Sequence, residues 1–255
     1  MITNRPNGSI YTKIENKIAT IEFGHPASNS FVAEMLDRLT DAFNKLASNS
    51  SISIIILKSE SERAFCAGAS FDELLAVSTL EEGKIFFSGF AKVINAMRNC
   101  NKIIVGRIQG KTVGGGVGLV AACDYVFATV DAPIRLSELT IGIAPLVIEP
   151  AVERKIGIAP ISELSLAPTE WKNAYWAQEK GLYSKVFDTT KEMDNELYFF
   201  AQKLANYNPK ALIEWRKILW KNTDHWGTLL IERAAITGKL ALSEFTKTAL
   251  SEFKK

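Results

Sequence analysis

The sequence predicts an α/β fold, because strand-like and helix-like segments alternate over the first two-thirds of its 255 residues. Residues 18–23 alternate apolar and polar side chains, which is typical of a strand. Residues 31–46 change to a helical period, and Asn29 or Ser30 is available as the N-cap of that helix. Residues 52–57 are a β-branched run, which predicts a strand buried on both faces.

The alternation continues after this strand. A long helical stretch follows Phe71 and is broken near Ser78. Residues 103–105 and 125–130 are apolar and rich in β-branched or aromatic side chains, which predicts two further buried strands.

The last quarter of the chain has no strand pattern. Residues 195–206 carry apolar side chains at helical spacing, Pro209 can open a second helix at its first turn, and residues 227–245 form a third. We expect these helices to dock on the main domain or on other subunits, because they cannot bury all their apolar faces alone. The sequence therefore predicts an α/β core over residues 1–190 and a helical region over residues 191–255.

Composition limits the classes of function. Lys and Arg total 30 against 28 Asp and Glu, and these charges are scattered, so nucleic acid is not an expected partner. No apolar stretch reaches the roughly 18 residues of a transmembrane helix, and the N-terminal residues lack a signal-peptide pattern. Three cysteines without a CxxC spacing do not suggest a disulfide framework or a zinc site. We therefore expect a cytoplasmic protein with neither nucleic acid nor membrane as a partner.

One candidate functional segment is a tight turn that enters a helix. It spans residues 67–73, and Ser70 and Glu73 within it have the spacing of a capping box. Small residues before a helix let a ligand reach backbone N–H groups, where the helix dipole favours negative charge. Taken alone, the segment also fits an ordinary strand-to-helix turn.

A second candidate segment is the run Gly114, Gly115 and Gly116. Consecutive glycines lose much backbone entropy on folding, so they are tolerated where a ligand or another backbone comes very close. The run matches neither the phosphate-binding loop nor the dinucleotide-binding glycine pattern. Taken alone, it also fits glycines that only permit tight packing. Together, the two segments could direct N–H groups at one oxygen, as a two-donor oxyanion hole does.

Glu138 is the candidate general base. It follows the strand-like residues 132–136 and is flanked by Leu139 and Ile141, an apolar neighbourhood that would raise its pKa toward the range useful for proton transfer. Without such context, a lone glutamate is usually a solvated surface charge.

These two segments and a third, residues 136–143 around Glu138, resemble in this order the enoyl-CoA hydratase/isomerase (crotonase) family. The resemblance covers nearly the whole chain. It implies a spiral of repeated ββα units with a C-terminal helical oligomerisation region, assembled as a homotrimer or homohexamer. It implies an acyl-CoA substrate, with no cofactor and no metal. Ala69 and Gly115 would supply the oxyanion-hole N–H groups, and Glu138 would be catalytic. The positions that would contact substrate or CoA are Ala27, Ser28, Arg63, Ala67, Gly68, Ser70, Phe71, Gly114 and Gly118.

The sequence departs from the hydratases of that family at Gly118, where they carry another glutamate. Adding water needs water activation and a proton for C2, whereas moving a double bond from C3–C4 to C2–C3 needs only one base. The pattern after Glu138 is similar to the 3,2-trans-enoyl-CoA isomerase branch, which also lacks the first glutamate. A hydratase, including a methylglutaconyl-CoA hydratase-like one, stays open with Glu149 or Glu73 as its second acid, as does a non-catalytic acyl-CoA-binding protein. We expect residues 74–90 to line the acyl tunnel.

Overall fold

Two β-sheets organise the protein, whose computed structural model describes residues 7–60 and 62–253. Within these residues the strands are β1 (Ser9–Glu15), β2 (Ile18–Gly24), β3 (Ile54–Ser59), β4 (Ala64–Cys66), β5 (Ile103–Ile108), β6 (Lys111–Val113), β7 (Tyr125–Thr129), β8 (Ile134–Arg135) and β9 (Lys185–Phe187). The larger sheet has the order β1-β2-β3-β5-β7-β9 and is parallel except for the antiparallel β1–β2 pair. The smaller sheet is parallel, with the order β4-β6-β8.

Helices connect and cover these sheets, and they confirm the predicted α/β class. In the same described ranges they are α1 (Ala33–Ala47), α2 (Phe71–Ala76), α3 (Leu80–Asn99), α4 (Gly115–Ala121), a 3-10 turn (Glu138–Ile141), α5 (Glu149–Ile156), α6 (Ile158–Leu166), α7 (Ala174–Glu179), α8 (Thr190–Ala205), α9 (Pro209–Leu219), α10 (Trp226–Ala241) and α11 (Glu244–Phe253). Strands are absent after β9 in this part of the chain, as the sequence predicted.

One unit repeats along the core: a strand of the larger sheet, a strand of the smaller sheet, then a helix. The pairs β3–β4, β5–β6 and β7–β8 each begin such a unit, so the chain advances as the predicted spiral of ββα units. Because the smaller sheet is parallel, the carboxyl ends of β4, β6 and β8 meet at one edge. The three candidate segments start at that edge, at residues 67, 114 and 136.

Apolar side chains cover both faces of the larger sheet. On β3, Ile54 and Ile56 pack on one face with α8, whereas Ile55 and Leu57 pack on the opposite face with α1 and α3. This alternation is the geometry of a strand, and it confirms the prediction that β3 is buried on both sides.

The start of α1 differs from the prediction. Its N-cap is Val32, and neither Asn29 nor Ser30 caps the helix, so that prediction is wrong. The Asn29 side chain instead holds the preceding turn, because its amide donates to the Ala64 carbonyl at 2.8 Å and its Oδ1 accepts from the His25 N–H at 2.9 Å. Because the Asn29 side chain already makes these two hydrogen bonds, it is not available to cap α1.

The C-terminal helices dock on the core, as predicted. Helix α10 packs closely on α3, where a Cβ added at Gly83 would lie 2.9 Å from the Cα of Gly238. Helix α8 covers the larger sheet and begins at Thr190, one residue before the predicted boundary. The division into residues 1–190 and 191–255 stays a prediction.

A buried ion pair fastens α9 to the core. Arg216 Nε lies 2.8 Å from Asp124 Oδ2, and the two side chains are 4% and 3% exposed. The same guanidinium donates to the carbonyls of Met97 at 2.7 Å and Arg98 at 3.0 Å, near the end of α3, where carbonyls lack partners inside the helix. Asp124 Oδ1 accepts from Trp220 Nε1 at 2.7 Å, so both charged groups are well hydrogen-bonded.

Candidate active site

A cavity of about 460 Å³ opens where β4, β6 and β8 end. Its wall is formed by Ala67, Gly68, Ala69, Phe71, Leu74, Phe86, Phe87, Phe90, Val113, Gly114, Gly115, Arg135, Ser137, Glu138, Thr140, Ile141, Ile143, Ala144, Pro145, Val147, Ile148, Pro168, Thr169 and Thr237. Counted over the part of the chain that the structure describes, Glu138 and Arg135 are the only ionisable residues in this wall.

The first turn, residues 67–70, is held against the segment that precedes α1. The Phe31 N–H donates to the Gly68 carbonyl at 2.8 Å, and the Ser70 N–H donates to the Phe31 carbonyl at 2.7 Å. In such a parallel bridge, the residue between the two bonds directs its own N–H away from the partner segment. That residue is Ala69, which lines the cavity.

The second turn precedes α4. Gly114 has a φ of 55°, which favours glycine, and its N–H donates to the Arg135 carbonyl at 3.0 Å. Gly115 is the first residue of α4, so its N–H has no acceptor inside the helix. A Cβ added at Gly68 would lie 3.9 Å from the nitrogen of Gly115, so the two turns are adjacent.

The two predicted donors therefore lie close together on one wall. Among the described residues, neither the Ala69 nor the Gly115 N–H donates to another residue. Free amides at adjacent turns are the arrangement that an oxyanion hole needs. Their role as donors stays a prediction.

The glycines of the second turn serve packing as well as access. A Cβ added at Gly115 would lie 2.4 Å from Cζ of Phe90, so the ring covers this position. A Cβ added at Gly114 would lie 3.1 Å from Oε1 of Glu138. Close packing therefore accounts for glycine at both positions, and ligand access there stays a prediction.

Glu138 begins the 3-10 turn after β8. Its Oε2 is buried and has no hydrogen-bond partner among the described residues, while Oε1 faces the Gly114 turn. Burial raises the pKa of this carboxyl to about 7, because desolvation disfavours the charged form. A carboxyl with this pKa is able to accept and return a proton near neutral pH.

Replacing Glu138 with glutamine is expected to stabilise the protein more as the pH rises. The folded-state pKa of about 7 is above the ordinary value of 4.5, so the folded protein is stabilised when this carboxyl is protonated. This stabilisation is full below pH 4.5 and is lost as the pH rises through 7. Glutamine has no such titration. Thermal unfolding of both proteins between pH 5 and 8 should show the difference in Tm, variant minus wild type, increasing with pH. A difference that does not change with pH would contradict the raised pKa.

Gly118 is a predicted binding residue whose contact with substrate stays a prediction. It lies inside α4 and is buried, but it is not part of the cavity wall. A Cβ added there would lie 2.5 Å from Cγ2 of Ile148, whose side chain lines the cavity. Ile148 therefore fills the space next to the position at which the hydratases carry another glutamate.

The other predicted contact residues divide into two groups. The structure brings together on the cavity wall Ala67, Gly68, Ala69, Phe71, Gly114, Gly115 and Glu138. It leaves outside the wall Ala27, Ser28, Arg63 and Ser70, in addition to Gly118.

The residues outside the wall lie near the first turn. The Ser28 carbonyl accepts from the Ala67 N–H at 3.2 Å, so the predicted CoA-contacting turn touches the first turn directly. Ser70 is the N-cap of α2, as the sequence predicted, because its Oγ accepts from the Glu73 N–H at 3.3 Å. Arg63 is exposed just before β4. Contact of these residues with CoA stays a prediction.

Neither alternative second acid lies in the cavity wall. Glu149 forms an ion pair with Arg233 of α10. Glu73 accepts from the Ala33 N–H at 2.8 Å, at the start of α1. Both carboxylates are occupied in fixing helices, which argues against either as the second acid of a hydratase.

Sequence reasoning missed several residues of the wall, among them Arg135, Ile148 and Thr237. Ile148 and Thr237 reach the cavity from other parts of the fold, and no local pattern could have identified them. Arg135 could have been found, because it stands three positions before Glu138 in the strand-like segment. Leu74, Phe86 and Phe87 also line the cavity, within the predicted range 74–90.

The described ranges contain neither a candidate metal cluster nor a candidate membrane-spanning helix. Residues 7–60 and 62–253 contain no group of three or more His, Cys, Asp or Glu side chains placed to hold a metal ion. No helix in these ranges is both long enough and apolar enough to cross a membrane.

Known proteins resemble this chain in sequence. The family model described as enoyl-CoA hydratase/isomerase matches residues 13–246. A peroxisomal Delta(3,5)-Delta(2,4)-dienoyl-CoA isomerase of Arabidopsis thaliana is 26% identical over 208 residues, covering 77% of this chain and 74% of that protein. A probable enoyl-CoA hydratase of Bacillus subtilis is 26% identical over 250 residues, covering 96% of this chain and 95% of that protein.

The fold has known relatives as well. The crystal structure of enoyl-CoA hydratase from Bacillus halodurans superposes with a TM-score of 0.89 and 21% identity, covering 95% of this chain and 99% of that one. At this identity the structure supports the fold alone. The family match, however, spans all three segments at the edge of the smaller sheet. The chain therefore belongs to the enoyl-CoA hydratase/isomerase (crotonase) family and is an enzyme of that family.

Proposed function

We propose that this enzyme moves the double bond of a 3-enoyl-CoA to the 2-position, with Glu138 as the proton shuttle. The observation that carries the proposal is the acid content of the cavity wall, which holds one carboxylate among the described residues. That carboxylate faces the Gly114 turn and has a pKa raised to about 7. One such group is sufficient for an isomerisation that removes and returns the same proton.

In the proposed reaction, the thioester oxygen lies between the N–H groups of Ala69 and Gly115. The Glu138 carboxylate removes a proton from C2, and the electron pair of that C–H bond moves into a dienolate whose charge rests on the thioester oxygen. The two N–H groups stabilise this charge. The Glu138 carboxyl then returns the proton to C4, which forms the C2–C3 double bond. The reaction is redox-neutral, and its steps call for no cofactor and no metal.

The alternative is hydration of a 2-enoyl-CoA, the activity named for the Bacillus subtilis relative. Hydration needs a group that activates water and a group that protonates C2, and the resemblance assigns these tasks to two glutamates. Here Gly118 supplies no carboxylate, and Ile148 fills the adjacent space. An apolar side chain at that place favours the isomerase.

Product analysis tests the proposal. The purified protein is incubated with 3-hexenoyl-CoA and, separately, with 2-hexenoyl-CoA, and each product is followed by chromatography. We expect 2-hexenoyl-CoA from the first substrate and no 3-hydroxyhexanoyl-CoA from the second. Hydration of the second substrate at a rate equal to or above isomerisation of the first would refute the single-acid mechanism.

Gly118→Glu alone is expected to destabilise the protein without adding hydratase activity. Its Cβ would lie 2.5 Å from Ile148, and overpacking of this kind costs about 1–3 kcal/mol. Combining Gly118→Glu with Ile148→Gly removes both close neighbours, Cγ2 at 2.5 Å and Cβ at 2.7 Å, so hydration of 2-hexenoyl-CoA should become measurable. Ile148→Gly alone is the control and should not hydrate. If Gly118→Glu hydrates as fast as the double variant, Ile148 is not the obstacle.

We also propose assembly as a homotrimer or homohexamer in the cytoplasm. Large apolar side chains of the C-terminal helices are exposed on the single chain, with Trp215 at 59%, Ile218 at 55% and Phe245 at 68%. Large exposed apolar side chains support contact with another subunit. The cysteines of the described chain are free and buried, as expected in a reducing compartment.

A further inference from the structure

Arg135 is the one cationic residue of the cavity wall in the described ranges. It is the last residue of β8 and stands in register with Val113 of β6, which lines the same cavity. Side chains in register on neighbouring strands lie on the same face of a sheet, so Arg135 is on the cavity side of the smaller sheet. Glu138 follows three residues later and lines the same cavity.

The guanidinium of Arg135 has no acidic partner in the described chain. It takes part in no ion pair there, and its Nε is buried without a hydrogen-bond partner. It is held instead by stacking on Trp171, with its carbon 4.5 Å from the ring centroid. A fork of five donors fixed over an aromatic ring suits a planar carboxylate. A buried donor without a partner is unfavourable, which a bound anion would relieve.

Glu138 is not that anion. A guanidinium in contact with its carboxylate would lower the pKa of Glu138. The causes that act on this carboxyl are instead its burial and its own backbone N–H, and the net effect is a raised pKa. The charge of Arg135 is therefore available to a ligand.

The cavity wall carries two chemically different kinds of side chain. Leu74, Phe86, Phe87 and Ile143 belong to one apolar cluster, which suits a hydrocarbon chain. The wall also carries Arg135 and the hydroxyl side chains of Ser137, Thr140 and Thr169. An acyl group that is hydrocarbon throughout would leave the Arg135 guanidinium without a partner.

We propose that Arg135 binds a carboxylate carried by the acyl group, so that the preferred substrates are CoA thioesters of dicarboxylic or otherwise carboxylated acyl chains. This inference rests on the proposed function, since it names the substrate class of the same site. The phosphates of CoA are the other source of an anion. Arg135 is less suited to them, because its backbone carbonyl fixes the Gly114 turn and Glu138 follows it by three residues in the same wall. The pantetheine arm separates the phosphates from the thioester.

Binding of inert, saturated thioesters tests the inference without requiring catalysis. Four matched pairs are titrated by calorimetry: succinyl- and butyryl-CoA, glutaryl- and valeryl-CoA, adipoyl- and hexanoyl-CoA, suberoyl- and octanoyl-CoA. Within each pair the chains have equal length, so the ratio of the two Kd values measures the contribution of the carboxylate to binding. We expect the wild-type protein to bind the carboxylated member at least tenfold more tightly at one or more lengths. A ratio of one at every length overturns the inference.

Variants locate the effect. Arg135→Gln should reduce the preferred ratio to near one and leave the Kd of the uncharged member unchanged, whereas Arg135→Lys should keep part of the preference. Lys111→Gln is the matched control, because Lys111 lies over the same Trp171 ring at 5.5 Å but outside the cavity wall, and it should keep the full ratio. If Arg135→Gln weakens both members and free CoA equally, Arg135 holds a phosphate and the inference is wrong. If Arg135→Gln does not fold, the Kd ratios of the wild-type protein and of Arg135→Lys still test the inference.

Turnover separates this inference from the proposed function. The wild-type protein is assayed with 3-hexenoyl-CoA and with the CoA monothioester of 3-hexenedioic acid. Isomerisation of both substrates with equal kcat/KM would uphold the isomerase and overturn the role of Arg135. Tenfold tighter binding of a carboxylated thioester without any isomerisation would uphold Arg135 and overturn the isomerase.

Discussion

Glu138→Gln is expected to lower the kcat for isomerisation of 3-hexenoyl-CoA by about 10²–10⁴-fold, the usual contribution of a general acid–base group. Glutamine keeps the size of the side chain but cannot take the C2 proton. The affinity for hexanoyl-CoA should change little, because the Ala69 and Gly115 amides and the apolar wall remain. Stopped-flow or steady-state kinetics, together with calorimetric titration of hexanoyl-CoA, measure the two quantities separately.

The pH profile gives a second readout of the same group. Glu138 must be ionised to act as a base, so wild-type kcat/KM should fall as the pH drops below about 7. The residual activity of Glu138→Gln should lack this limb. Glu149→Gln is a matched control, because this carboxylate is paired with Arg233 outside the cavity wall, and it should keep kcat near the wild-type value. An active Glu138→Gln with an inactive Glu149→Gln would assign the proton transfer to Glu149.

Arg216→Met is expected to lower the free energy of unfolding by about 3–5 kcal/mol, the usual cost of removing one partner of a buried ion pair. The substitution leaves the carboxylate of Asp124 buried, 3% exposed, without its counter-charge. It also removes the donors that satisfy carbonyls near the end of α3. Urea denaturation with an unchanged m-value measures the loss directly.

A less buried pair provides the control for that measurement. Arg107 Nε lies 2.6 Å from Asp194 Oδ1, but the side chains are 10% and 32% exposed. Because solvent can rehydrate the remaining Asp194, Arg107→Met should cost less than Arg216→Met. Equal losses from the two substitutions would show that burial of the pair does not determine its contribution.

Much of the fold follows from local patterns. The alternation of residues 18–23 and the β-branched run 52–57 predicted β2 and β3, and Pro209 marked the first turn of α9. Strands β4 and β6 were missed, because each has three residues, too few to show a period. These short strands nevertheless matter for the site, since their carboxyl ends place the first and second turns side by side.

The sequence by itself determined the α/β class, the three segments with their family resemblance, and the absence of a carboxylate at Gly118. It also predicted a raised pKa for Glu138, and in the structure burial of the carboxyl raises that pKa. These properties depend on the order of residues along the chain, so local sequence patterns are sufficient to predict them.

Only the tertiary structure decided which groups share one cavity. It showed that Ile148 fills the space beside Gly118, that Glu149 and Glu73 are occupied elsewhere, and that Arg135 faces the cavity without an acidic partner in the described chain. Contacts of this kind join residues that are distant in sequence, through packing that no periodicity encodes. Burial and charge pairing depend on those contacts, and they set the chemistry of the site.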